Sequence, residues 1–304
     1  MPGVLLSATG LVAVTYGVID AGEHGWTEGR APLIIAMGVL VLAVLVWWQR
    51  RAAAPLIDLA LFRDRSFAGG TLLATIAGFA FFGLLFALPQ LFQAVGGADA
   101  FGAGLRLLPV IGGLMAGARI GERLAARTGP RVVIAAGLTL MAAALFTGAA
   151  TDAAAGYGVV AAWISVAGVG LGLTMPTSMN VAISALGAER SGVGNALIQA
   201  VRQVGSAIGV AVLGTALNAG YRSALPATAG AEFRDSAATG TTAAQRLGDD
   251  GLLEAVRAAF VHGMDLSLIL SGGVAAAGVV LALVILPRGA RAGREPDVLA
   301  ESGS

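Results

Sequence analysis

The chain contains no cysteine, which excludes disulfides, thiolate metal sites and cysteine nucleophiles. Only two histidines, His24 and His262, occur among 304 residues, so no metal centre and no cofactor is expected. Charge is scarce too. Charged residues make up 12% of the chain and the formal net charge is +1, whereas a soluble domain is about a quarter charged. That balance offers nucleic acid no basic surface. All 19 basic residues are arginine, and alanine and glycine dominate, as they do in proteins of GC-rich bacterial genomes.

What is present in excess is apolar sequence: 57% of residues are hydrophobic and the mean hydropathy is +0.82. The apolar residues fall into runs, and about 18 or more in a row cross some 30 Å of hydrocarbon as a helix. Eight candidate spans are predicted: Val4–Ala21, Ala31–Trp48, Phe67–Phe86, Leu105–Ala118, Val132–Ala150, Gly158–Ser184, Ala196–Leu217 and Leu266–Leu286. The fourth is the shortest, because Arg119, Glu122 and Arg123 cut its tail. Met1–Ala21 has no basic leader and no small-residue cleavage site, so it reads as a span rather than a signal peptide. The expectation is an all-α, polytopic transmembrane bundle embedded in a lipid bilayer.

Threading eight spans with both termini on one side puts 13 of the arginines there, among them Arg50, Arg51, Arg119, Arg123, Arg127, Arg131 and Arg202. The other side receives Arg30, Arg106, Arg222, Arg234, Arg246 and Arg257. The positive-inside rule then predicts cytoplasmic termini. One long loop, Asn218–Asp265, is expected outside, with Leu252, Leu253, Val256, Ala259 and Phe260 at helical spacing. That pattern predicts a short helix on the outer membrane surface, or a lid.

Three segments carry a resemblance: PLIDLALFRDRSF (Pro55–Phe67), GERLAARTGPRVV (Gly121–Val133) and ERSGVGNALIQAVRQVGSAIGVAV (Glu189–Val212). Together they resemble the fourteen-span drug:proton antiporter branch of the major facilitator superfamily. The resemblance implies two extra helices in residues 1–50, a cytoplasmic linker at 51–66, and the six-helix C-terminal half at 67–287, its outer loop at 218–265. Residues 288–304 would be a cytoplasmic tail. It further implies an inner-membrane location, a small amphipathic substrate, exchange with protons, and an N-terminal half or partner chain supplying the rest. The acidic position of the family's loop motif is Ala126 here, so the role of that acid is not carried over. Arg127, Gly129 and Arg131 match and become gating candidates.

The residues themselves single out further positions. Gln199, Arg202, Ser206 and Gly209 share one helix face, with Gln203 beside Arg202. An intramembrane arginine costs about 3 kcal/mol on insertion scales and must face the bundle interior or snorkel. Arg202 could staple helix ends through carbonyls or Glu189, or could act in coupling. Thr174, Thr177, Ser178 and Asn180 make the most polar stretch within a span, around Pro176 and between Met175 and Met179. Pliable methionines suit varied ligands, while the hydroxyls could equally satisfy a kinked backbone. Phe82, Phe86 and Gln90 form a second candidate face, with Phe81 and Gln93 beside them. Rows of glycine four apart, Gly113/Gly117/Gly121 and Gly168/Gly172, predict close helix packing.

No Asp or Glu lies at the centre of a span, although proton coupling needs a titratable intramembrane group. The alternatives are therefore the C-terminal part of an exporter, or an accessory membrane protein without transport of its own. No enzymatic motif is present: His262 has no nucleophile motif to partner it.

Overall fold

The computed structural model describes residues 6, 8–10, 12–17, 20, 30–49, 59–151, 155–186, 191–226, 229–234 and 236–286. Glu189 and the tail from 288 lie outside them. In chain order the helices are α1 (Ala8–Gly17), α2 (Ala31–Gln49), α3 (Arg65–Gln90), α4 (Ala100–Arg106), α5 (Leu108–Thr128) and α6 (Pro130–Ala149). There follow α7 (Tyr157–Ser184), α8 (Ser191–Ala224), α9 (Ala231–Arg234), α10 (Ala237–Leu247) and α11 (Asp250–Ile285). Among the described residues, six helical stretches are long and apolar enough to cross a membrane: α3 with its extension, α4–α5, α6, α7, α8 and α11. They match the last six expected spans. Of the first two, α2 begins where expected, and much of Val4–Ala21 lies outside the described residues.

Two boundaries differ from expectation, each for a physical reason. The fourth span does not stop before Arg119. Its charged residues are exposed on a helix that runs on to Thr128, because long side chains can reach headgroups while the backbone stays helical. The segment expected as an outer loop, 218–265, is also mostly helix among its described residues. The segment expected as a separate surface helix is the start of α11, which continues unbroken into the last span. Gly248, at φ +66°, ends α10, and Asp249 starts α11 by accepting from the Leu252 amide at 2.9 Å.

Sequence chemistry explains the other ends. Asp64, inside the linker, caps α3 by accepting from the Ser66 and Phe67 amides at 2.7 and 3.1 Å. Phe62 meets Phe67 edge-to-face at 5.3 Å. Past Pro89, α3 widens into a π-helical turn at Leu91–Val95. Between α5 and α6, Gly129 adopts φ +86°, ψ 154°, directly before Pro130. Only glycine is at ease there, and the proline disfavours a helical alternative. A Cβ on Gly129 would touch nothing, so Gly129→Ala should cost about 1–3 kcal/mol from backbone strain alone. Thermal melting in detergent checks this, and an unchanged midpoint would contradict it.

Packing organises around α7, which touches α3, α5 and α6, and around α11, which touches α3, α6 and α8. The α5–α7 pair is parallel and unusually close. A Cβ on Gly113 would sit 2.2 Å from the Ser165 carbonyl oxygen, and one on Gly117 2.3 Å from that of Val169. Reciprocally, Gly168 faces the Val110 carbonyl and Gly172 that of Leu114, both at 2.2 Å. The rows predicted to bring helices together do so, backbone against backbone. Helices α1 and α2 lean on α8, where Val14 and Ala211 are buried with Ile35, Leu42 and Val204.

Candidate functional site

Helices α3, α7 and α8 converge around Arg202. This residue follows Ser191 by eleven positions, about 16 Å along α8 at 1.5 Å per residue. The α3–α8 contact is parallel and tight. Gly205 lies against Thr75 and Gly209 against the Phe79 backbone, while Gly83 leaves room for Leu213. Gly78 completes the junction. A Cβ there would meet Ser206 Oγ at 2.9 Å, Arg202 Cγ at 3.5 Å and Met175 Cε at 3.9 Å.

Arg202 is half-buried, and its Nη1 lies 3.5 Å from both Met175 Sδ and Met179 Sδ. Thioether sulfur is a weak acceptor. The described residues therefore give this guanidinium two soft contacts and no carboxylate, with Glu189 outside their range. Three buried hydroxyls nearby on the same helices, Thr71, Ser178 and Ser206, have no hydrogen-bond partner among the described residues. A cation with weak acceptors and hydroxyls with none is costly unless something else meets them.

The other candidates divide by exposure. Thr174, Thr177 and Ser178 are buried between helices. Thr174 donates to the Gly170 carbonyl at 2.8 Å and fills the space left by Gly137 on α6. Thr177 lies near Gly121 on α5, and the Ser178 carbonyl abuts Gly70 on α3. Asn180, Gln199 and Gln203 are exposed, as are Phe82 and Phe86. Gln90 turns back to donate to the Phe86 carbonyl at 3.0 Å, and Phe86 packs on Gly214 of α8. Sequence reasoning missed Gly78, since nothing local in α3 marks it as a neighbour of Arg202.

At the opposite end of α6 from Ala149, Arg131 donates through Nη2 to the Leu283 carbonyl. That oxygen belongs to the last turn of α11, where no backbone amide remains to donate to it. Arg127 is exposed in the last turn of α5, where a cation suits the helix dipole. Arg131→Ala should lower stability by about 1 kcal/mol. It should also raise amide hydrogen exchange near Leu283, whereas unchanged exchange there would dismiss the cap.

A family model described as "Major Facilitator Superfamily" matches residues 2–210. This chain belongs to the major facilitator superfamily. It is 30% identical over 299 residues to the tetracenomycin C resistance and export protein of Streptomyces glaucescens, covering 92% of this chain and 55% of that one. It is 33% identical over 218 residues to the methylenomycin A resistance protein of Streptomyces coelicolor (72% and 46% covered). It is 30% identical over 292 residues to the puromycin resistance protein of Streptomyces alboniger (94% and 53% covered). The chain thus spans about half the length of the curated relatives it matches. Its fold is shared with a bacterial homologue of the human lysosomal transporter Spinster, solved inward-facing and occupied. The TM-score is 0.58 at 17% identity, covering 92% of this chain and 65% of that one.

This superfamily member is a multi-pass membrane protein, and one end of it is capped. Tyr221, at the end of α8, is buried and donates to the Phe233 carbonyl at 2.7 Å. Arg222 Nε donates to the Arg234 carbonyl at 3.0 Å, and Ser236 and Thr239 form a capping box on α10. Tyr221→Phe should weaken this cap by about 1 kcal/mol. Cleavage within 229–247 by a protease should accelerate while the bundle's melting point stays within a few degrees. Equal cleavage rates would mean that the hydroxyl does not hold the cap.

Proposed function

We propose that this chain is the C-terminal part of a proton-driven exporter of amphipathic, drug-like compounds, set in a bacterial inner membrane with both termini cytoplasmic. The observation that carries the reading is the meeting of Arg202 with Met175 and Met179 beside unpartnered buried hydroxyls. Pliable thioethers, exposed Phe82 and Phe86, and the amides of Asn180, Gln199 and Gln203 make a wall suited to mixed apolar and polar ligands. The relatives named for resistance and export support the class of activity. The arginine asymmetry supports the orientation.

The wall is one side of a central cavity, whose other side belongs to an N-terminal half or a partner chain. The coupling carboxylate is assigned there too, since none of the spans read from the sequence has an acid at its centre. Arg127, Gly129 and Arg131 gate the cytoplasmic end by packing α5 and α6 against the foot of α11.

Two measurements test this. Energised efflux of Nile red from cells expressing the native protein should collapse with a protonophore. Efflux indifferent to the protonophore removes proton coupling, and no efflux removes the exporter reading. An immunoblot against 288–304 should show a band well above the 30.2 kDa of this chain. A band near that mass would instead require a separate partner subunit.

A further inference from the structure

At the capped end of the bundle, far from Arg202, lies a second site. A cavity of about 230 Å³ opens between the π-helical end of α3, the end of α4, the last turn of α6, the start of α7 and α11. Phe92, Arg106, Tyr157, Trp163 and Met264 are among its walls. The Arg106 guanidinium lies 5.9 Å from the centres of both the Phe92 and Tyr157 rings. Those rings meet edge-to-face at 6.1 Å. The Tyr157 hydroxyl donates to the Arg106 carbonyl at 3.3 Å, tying the ring to the arginine's own backbone.

Two features of this site are unsatisfied. Among the described residues, no hydrogen-bond acceptor or carboxylate meets the Arg106 side chain. Trp163 is only 3% exposed, and its indole N–H has no partner. Gly148 lies flat under that indole: a Cβ there would be 3.1 Å from three of its ring atoms. The cavity is thus shaped by fixed aromatic groups, and Arg106 is the one charged residue among the described residues that line it.

These facts select a ligand chemistry. A dry cavity of 150 Å³ holds benzene, so 230 Å³ admits a one- or two-ring compound. Aromatic faces usually favour cations, but both are already taken by Arg106, whose charge repels a second one. A guanidinium with free, forked donors matches a carboxylate or sulfonate. We propose that this cavity binds a small planar aromatic anion, its acidic group on Arg106 and its rings against Phe92, Tyr157 and Met264. The site is separate from the wall around Arg202 and does not depend on the exporter reading.

Isothermal titration of the full chain in dodecyl maltoside, corrected by a micelle blank, tests it. The probes are 2-naphthoate, neutral 2-naphthamide and trimethylphenylammonium. Saturable 2-naphthoate binding is expected at one per chain, with the other two at least tenfold weaker. Arg106→Met should weaken 2-naphthoate at least tenfold, and Arg106→Lys should recover part of the loss. Met264→Trp fills the cavity and leaves Arg106 in place. It should block binding as well, and it serves if Arg106→Met elutes as aggregate. Equal affinity for the three probes would overturn the proposal. So would 2-naphthoate binding that survives both Arg106→Met and Met264→Trp, since simple partition into the apolar surface would then suffice.

Discussion

Replacing Gly172 with valine is expected to abolish the folded bundle. A Cβ at this position would sit 2.2 Å from the Leu114 carbonyl oxygen, 2.7 Å from the Ala118 nitrogen and 3.0 Å from the Gly117 carbonyl carbon. All three are backbone atoms of α5, so no side-chain rotation relieves the clash. The only relief is to push α5 and α7 apart, which separates Gly113, Gly117 and Gly168 from their partners too. Overpacking in a well-filled core costs about 1–3 kcal/mol when side chains can shift. Parting two backbones also loses dispersion and Cα–H···O contacts along about three turns, each contact worth about 0.5–1 kcal/mol. The control is Gly112→Val on the partner helix α5, where an added Cβ meets nothing within 4 Å. Fluorescence-detected gel filtration after a temperature ramp should find Gly112→Val monodisperse like the parent and Gly172→Val aggregated. A monodisperse Gly172→Val with the parent's midpoint would refute the backbone-on-backbone contact.

The second large effect separates stability from activity. Arg202→Met should leave the bundle as stable as the parent or more so, because it removes a half-buried charge whose acceptors are two thioethers. Export by the native protein should nonetheless fall at least tenfold. Arg202→Lys should not restore it fully, since a compact ammonium cannot spread across Met175 and Met179 as a planar fork does. Loss of folding in Arg202→Met would instead make the arginine a staple between helices. Full export with normal abundance would take it out of the mechanism.

Much of the bundle was legible because hydropathy and glycine spacing are local signals. Runs of apolar residues located the spans, and glycines four apart located the α5–α7 contact. Sequence reading failed where polarity was mistaken for a break. Arg119, Glu122 and Arg123 looked like the end of a span, yet a helix can keep going with its charges in the headgroups. Asp249, Asp250, Glu254, Arg257, His262 and Asp265 looked like a loop with a surface helix, yet the first caps α11 and the others lie on its first half. The site was legible only in part. Arg202 announced itself by its cost in lipid, and Met175 and Met179 by their neighbours. That the three meet could not be read, since no periodicity relates residues 27 and 23 positions apart. Arg106 counted only towards topology, because its relation to Phe92, Tyr157 and Trp163 exists solely in three dimensions.

Helix α11 runs 36 residues without interruption, about 54 Å at 1.5 Å per residue, against roughly 30 Å of hydrocarbon. One end is joined through Gly248 to the cap around Tyr221, and the other is gripped by Arg131 at Leu283. A rod anchored at both ends would make the cap a handle on the gate proposed around Gly129. A nanobody that clamps 237–247 should therefore slow opening at the Gly129 turn without entering either cavity. Spin-label distances between positions 126 and 186, which leave Arg131 in place, would record it as a narrowed distribution, and an unaltered distribution would show that the two ends move independently.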